Sequence, residues 1–352
     1  MPHKACAFDI RPYDSAAGAA CLDLLGATRP GSESSHRNSD FWTWKHSANP
    51  FGVSEGLCAV DPATQRLVGL RILMKWTLQA PDGTHVRAAR AVDTATHPEY
   101  QRRGIFATLT RGALTELASH RVDLIFNTPN ERSLPGYLQL GWRQPHHRAL
   151  YFKVLKPGNF STRLVGGRQQ SDGTPSWEAC FTGAIRRWDE FCAEFGDEIE
   201  TLTRAWEACR RRTGVRTPRT MDYLNWRYGP SSGIPYGVLA STDDQGLRGF
   251  VVMRPNSRYG LREVLAVEIV LRRPAVSLGL RVLREARQQI SADWIVAHAA
   301  PGTLEREMFL LSAFHRWPGN TIPFVSRPLN SSRLHPVRAA DWDLSLGDLE
   351  IF

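Results

Sequence analysis

Apolar residues recur along this chain with two periods, and the switch from one to the other marks its elements. Loose alternation over Ala5–Arg11, broken by Pro12 and Asp14, predicts a strand followed by a helix cap. Ala20, Leu22, Leu24 and Leu25 give 16–25 the apolar face of a helix. Strands are expected over 56–60, 66–75 and 86–94, punctuated by Asp61-Pro62 and by the hairpin-type turn Pro81-Asp82-Gly83. From Arg103 the period lengthens. Ile105, Phe106, Leu109, Ala113, Leu114 and Leu117 fall at helical spacing, so 104–120 is an amphipathic helix. Val122–Phe126 is a short continuous apolar run, as in a strand buried on both faces. A short helix over 134–140 ends at Gly141, and 149–154 reads as the strand that closes the first half. A stretch rich in Gly, Ser, Asn and Gln then reads as a linker, and 188–213 as one long helix.

The same order of features occurs twice. Phe41-x-x-Trp44-Lys45 has a counterpart in Tyr223-x-x-Trp226-Arg227, and Ala91-Val92-Asp93 in Ala266-Val267-Glu268. Pro129 precedes Tyr137 as Pro301 precedes Phe309, and a second aromatic follows each, Trp142 and Phe314. Four matches in one order imply a tandem duplication of an α/β unit. The expected division is 1–157 and 174–352, joined by a linker at 158–173.

Composition narrows the class. A chain of 352 residues is too long for one ordinary core, and 42% hydrophobic with 22% charged residues is neither disordered nor membranous. No run approaches the length needed to span a bilayer and no secretory leader is evident, so a cytoplasmic location is expected. Cys6, Cys21, Cys58, Cys180, Cys192 and Cys209 are scattered without a Cys-x-x-Cys pair, which points to neither zinc nor a disulfide framework. The net charge of +9 comes almost wholly from arginine, 39 of the 44 basic residues. That bias suits a GC-rich genome, or else a polyanionic ligand. With no helix-turn-helix, zinc-finger or RNP signature, nucleic acid is the weaker of the polyanions.

The candidate chemistry lies between a strand and the amphipathic helix. Thr94-Ala95-Thr96 leads through His97-Pro98-Glu99-Tyr100 to Gln101-Arg102-Arg103-Gly104-Ile105-Phe106-Ala107. The first N–H groups of a helix lack internal partners and sit at the positive end of its dipole, so a pyrophosphate can accept from them. Gly104 lets the backbone approach closely, and arginine forks suit phosphate. Taken alone, the arginine pair is equally a solvated helix start.

These residues resemble the coenzyme A-binding motif of the GNAT acyltransferase superfamily, Gln/Arg-x-x-Gly-x-Gly/Ala, with Gln101 and Gly104 in place and Phe106 where a small residue is usual. Asn127-Thr128-Pro129-Asn130-x-x-Ser133-x-x-x-Tyr137-x-x-x-Gly141-Trp142 resembles the family's second motif. The resemblance covers about 5–155 and is weak beyond. It implies an α/β (α+β) fold of tandem GNAT-like mixed β-sheets flanked by helices. Acetyl-CoA or another acyl-CoA would lie with its pantetheine arm along Thr94–Thr96, its pyrophosphate on Gln101–Ala107, and Asn130 and Ser133 beside it. Tyr137 would protonate the departing thiolate, unless it is an ordinary core aromatic. Asp93 or His97 would accept the proton of the amine, directly or through water; related enzymes also use a chain-terminal carboxylate, here that of Phe352.

The second copy has no Gln-Arg-Arg-Gly loop, and Phe309 stands in the place of Tyr137. A phenyl ring donates no proton, so one active site is expected, in the first half. Trp226, Glu268 and His298, with Arg227, are candidate substrate contacts; Trp44 and Trp226 serve equally as packing anchors. The resulting expectation is a metal-free N-acyltransferase acting on a small amine, such as an amino sugar, an aminoglycoside or a natural-product intermediate. The alternatives are an aminoacyl-tRNA-dependent transferase of the tandem peptidoglycan type and a non-enzymatic acyl-CoA-binding protein.

Overall fold

Two mixed β-sheets flanked by helices organise the chain, in a computed structural model that describes residues 8–28, 38–144, 148–159, 173–210, 214–319, 322–330, 336 and 338–349. The chain divides into two compact units, Met1–Pro145 with Pro323–Val337, and His146–Ile322 with Arg338–Glu350.

In the first unit β1 (Asp9–Pro12) leads to α1 (Gly18–Thr28) and α2 (Ser39–His46). Then come β2 (Glu55–Val60), β3 (Leu67–Gln79), β4 (His85–Thr96), α3 (Ile105–Ser119), β5 (Leu124–Asn127) and α4 (Leu134–Gln139). The five strands lie in chain order, antiparallel except for the parallel pair β4–β5. Neighbouring residues on a strand point to opposite faces. Leu57 would meet a Cβ placed on Gly112 of α3, while Cys58 hydrogen-bonds Cys21 of α1. Helices therefore cover both faces of the sheet. Small residues set how closely they dock: a Cβ on Gly69 would fall 2.4 Å from Cγ2 of Ile105. Ile105, Leu109, Ala113, Leu114 and Leu117, the predicted stripe, form the core with Leu57, Leu73, Ala91 and Ile125. Helix α2, which periodicity did not assign, is set by its ends. The Asn38 side chain accepts from Phe41 N at 2.8 Å, and Lys45 and His46 occupy the negative last turn.

The second unit runs β6 (Leu150–Val154), α5 (Trp177–Cys180), β7 (Ile185–Arg186), α6 (Trp188–Phe195), α7 (Asp197–Cys209) and α8 (Met221–Tyr228). It continues with β8 (Gly237–Asp243), β9 (Gly246–Arg258), β10 (Leu261–Leu271), α9 (Val276–Gln288), β11 (Trp294–His298), α10 (Leu304–Leu311), β12 (His315–Arg316) and α11 (Leu346–Leu349). Its sheet has the order β12-β6-β11-β10-β9-β8-β7, with β10–β11 the parallel pair.

Three expectations are corrected. The strand at 150–154 does not close the first sheet; it pairs antiparallel with β11, and Val325–Pro328 pairs antiparallel with β5 instead. Periodicity identifies a strand but not which edge it covers, and both edges need covering. The single helix expected over 188–213 is two, because Gly196, at φ 42° and ψ −119°, breaks it between α6 and α7. The halves also align one residue off the sequence match. The bulge between β3 and β4 leaves Asp93 without a cross-strand partner, whereas the bulge between β9 and β10 leaves Val267, not Glu268. Most of the expected linker, 160–172, lies outside the described residues, as does Phe352.

Candidate active site

Strand β4 outruns its parallel partner, and the site begins there. Pairing with β5 covers Ala88, Ala89 and Arg90, while β4 continues to Thr96 bonded to β3 alone. The edge from Ala91 to Thr96 is left along a cleft of about 600 Å³ whose other walls include Asn127, Asn130, Ser133 and Tyr137. Thr94, Ala95, Thr96 and Phe106 also line an adjoining hollow with Gln101, Arg102, Gly104, Ile105 and Ala107. Cleft and hollow thus share one wall, as a long ligand with an anionic end requires.

The hollow opens on the first turn of α3 and could cradle an anion. Gly104 caps α3 at φ 78°, and a Cβ there would meet nothing within 4 Å, so the space before the helix is open. Arg102 also takes a left-handed φ, 63°, unusual for a residue with a side chain. Gln101 Nε2 donates to Thr96 O at 3.4 Å. Arg103 is not part of the cradle. Its Nη2 donates to Glu99 O at 2.8 Å and its guanidinium lies 4.7 Å from the centre of the Tyr100 ring. Phe106, bulky where a small residue is usual, is accommodated by Gly136: a Cβ on that glycine would fall 3.0 Å from the Phe106 ring. The ring meets Tyr137 edge-on, at 5.8 Å between centres and 90° between planes.

Tyr137 is buried, lines the cleft, and is held by a residue that the periodic pattern did not single out. Arg71 Nη1 donates to the Tyr137 hydroxyl oxygen at 2.6 Å and to Thr94 Oγ1 at 2.6 Å. Arg71 Nε and Nη2 have no hydrogen-bond partner among the described residues. Its guanidinium lies between the Tyr137 and Phe106 rings, 5.1 Å and 5.9 Å from their centres. The only sequence signal was an arginine inside the apolar run Leu67–Met74. Asn130 and Ser133 both face the cleft and also bond each other, with Asn130 Oδ1 accepting from Ser133 N at 2.9 Å at the start of α4.

Of the two candidate bases, one reaches the cleft. Asp93 lines it, but Lys45 Nζ lies 2.6 Å and His46 Nε2 3.0 Å from its Oδ2. Burial works to raise the Asp93 carboxyl; the Lys45 charge and the His46 bond outweigh burial and hold it well below the usual carboxylate range. Burial in turn lowers His46, which bonds Ser54 Oγ through Nδ1 at 3.0 Å. His97 lines neither cleft nor hollow. Its Nε2 lies 2.8 Å from Arg66 Nη2, and its Nδ1 accepts from Glu99 N at 3.4 Å, so both ring nitrogens are engaged away from the cleft. Of the two, His97 is therefore the one not brought to the cleft.

The second-half candidates have structural surroundings. Trp226 is buried beside Tyr223. Glu268 meets Arg219 at 2.8 Å, Tyr228 at 3.2 Å and Ser345 at 3.1 Å. Arg227 Nε donates to Gly347 O at 2.9 Å. His298 shares with Glu268 a cavity of only about 20 Å³, and Phe309 lines it too. The segment 342–349 fills this region. Asp348 bonds Arg219 at 2.8 Å and Tyr223 at 2.7 Å, and a Cβ on Gly347 would fall 2.2 Å from the Tyr228 hydroxyl.

Among the described residues, no group of three or more His, Cys, Asp or Glu side chains is arranged to hold a metal ion, and no helix is long and apolar enough to cross a membrane. Residues 10–144 match the family model for the acetyltransferase (GNAT) domain. No curated protein matches the chain. Many solved structures share its fold, among them these three. A probable N-acyltransferase of Enterococcus faecalis V583 is 16% identical, with a TM-score of 0.63 over 92% of this chain and 73% of that one. A GCN5-related N-acetyltransferase of Kribbella flavida is 16% identical, with 0.55 over 92% and 72%. One of Anabaena variabilis ATCC 29413 is 13% identical, with 0.57 over 94% and 75%.

Proposed function

We propose that this chain, whose residues 10–144 match the family model for the acetyltransferase (GNAT) domain, is an N-acyltransferase that carries an acyl group from acyl-CoA to the amine of a small molecule, at one site in its first unit. The observation that carries the reading is the continuity of the strand edge at Thr94–Thr96 with the open cradle at Gly104, which fits a pantetheine arm ending in a pyrophosphate. Acyl-CoA would supply the activated thioester. Backbone groups of Thr94–Thr96 would hold the arm as an added strand, and the first N–H groups of α3 with Arg102 would hold the phosphates.

The amine nitrogen would form a bond to the acyl carbon as the carbon–sulfur bond breaks and its electron pair goes to sulfur. Tyr137 would give its hydroxyl proton to that sulfur and recover one from the nitrogen through water, so that amine and thioester become amide and thiol. Arg71 would keep the Tyr137 oxygen in place throughout. Much of the rate would come from holding the two reactants together.

The second unit supports a single site. Its β10 is followed within a few residues by α9, with Ala275 rather than a left-handed glycine as cap, and its own segment 342–349 occupies the corresponding region. The test is thiol release across a panel of amines with acetyl-CoA, together with calorimetric titration of coenzyme A. One site per chain is expected, and Tyr137→Phe should lower kcat while leaving coenzyme A affinity within about threefold. Two equivalent sites, or unchanged turnover in the variant, would remove this account.

A further inference from the structure

The walls of the cleft carry information about the acceptor, and the following rests on the acyltransfer reading above. We propose that the acceptor is a monoamine borne on an apolar or aromatic body, and that polycationic amines, aminoglycosides among them, are turned away.

Charge is the first argument. Among the described residues lining the cleft, the charged side chains are Lys45, Asp93 and Arg132, two cations against one carboxylate. That carboxylate is already met by Lys45 at 2.6 Å and by His46 at 3.0 Å. A substrate with several ammonium groups needs a carboxylate for each group it brings out of water, and the described residues of this cleft have none to spare. An excess of positive charge also favours the uncharged form of an entering amine, which is the form with a free lone pair for attack. A single amine gains from this field, whereas each further ammonium loses.

Shape and polarity are the second argument. The strand edge and the 127–137 wall serve the acyl donor, which leaves Leu22 and Leu25 of α1 and Phe41 and Trp42 of α2 as the remaining side. Trp42 is fixed by a hydrogen bond from its Nε1 to the Tyr13 hydroxyl at 3.1 Å and by the His46 ring 4.2 Å away. Two leucines and two aromatic rings, the Trp42 ring already fixed, match an apolar body and offer a sugar hydroxyl almost no partners.

Acylation of 2-phenylethylamine, hexylamine, spermidine and kanamycin with acetyl-CoA, followed by thiol release, tests the proposal. The first two amines should exceed the last two in kcat/KM by on the order of a hundredfold, the upper end of what one unsatisfied buried polar group costs. Polycations reacting as well or better would overturn the acceptor class and leave acyl transfer standing. Thiol release with none of the four would overturn the transfer reading and this proposal together. Arg132 is exposed, so Arg132→Glu should fold normally. It should narrow the ratio of phenylethylamine to spermidine by about tenfold; an unchanged ratio would overturn the charge argument.

Discussion

Arg71 and Tyr137 are joined by a 2.6 Å hydrogen bond in which a buried guanidinium donates to a phenol oxygen. Because that lone pair is taken by a donor, the phenol's own hydrogen points elsewhere, and the Tyr137 side chain lines the cleft. The negative charge that would develop on the oxygen as it releases the proton lies beside a cation that no carboxylate hydrogen-bonds among the described residues.

Arg71→Met should therefore lower kcat by roughly tenfold to a hundredfold with little change in the affinity for acyl-CoA. A merely structural role predicts an equal loss in any background. Acting through Tyr137, the substitution should cost less than about threefold once Tyr137 is already Phe, a coupling read from the double-mutant cycle. Full additivity in kcat would refute the link.

Gly104 tests the cradle. Its φ of 78° disfavours any side chain even though the space around it is empty. Gly104→Val should raise the Kd for coenzyme A by at least about tenfold, since a branched side chain would stand where phosphate oxygens approach the helix start. Affinity unchanged in calorimetry would move the phosphates elsewhere.

The pair of Lys45 and Asp93 sets a stability prediction. Asp93→Asn leaves a buried ammonium without its carboxylate, and should lower unfolding stability by about 3–5 kcal/mol in urea titration. The pH sense follows from the depressed Asp93 carboxyl. Its contribution is present above the ordinary carboxylate range and is lost only as pH falls through the lower folded value. Between pH 6 and 8 the difference between wild type and variant should stay flat; a slope there would show another group titrating.

His298 governs the other end of the pH response. Its Nδ1 donates to Ala149 O at 2.7 Å, while Nε2 has no partner among the described residues. Burial, with the nearby Arg148 charge, pushes its pKa down to about 3 from 6.5. The unfolded chain thus takes up a proton below pH 6.5 that the folded chain refuses until near pH 3. Stability from this residue is complete above pH 6.5 and declines as pH falls, by roughly 2 kcal/mol at pH 5. His298→Asn, which keeps a donor to Ala149, should flatten the loss between pH 7.5 and 5. An identical pH dependence in the two proteins would assign the acid sensitivity to other groups.

The amino-acid order alone determined a good deal of this protein. Alternation and helical spacing located β2 to β5 and α3, because each buries a face whose period the residues must follow. The glycine at 104 and the tyrosine at 137 marked the first half as the one with candidate chemistry, since the second half has neither in the matching place. Tertiary structure decided the rest. Whether a strand such as 150–154 completes one sheet or the other depends on which edge is left open, and its own alternation is the same in both cases. Arg71, Lys45 and His46 lie far in sequence from the residues they hold, and only the pairing of β3 with β4 and the docking of α2 bring them to Tyr137 and Asp93. His97 reads as a candidate base in the sequence but lies outside the cleft against Arg66, a contact across 31 residues of chain that no local pattern encodes. Periodicity fixes which residues face inward; which charges meet there is settled only when the elements pack.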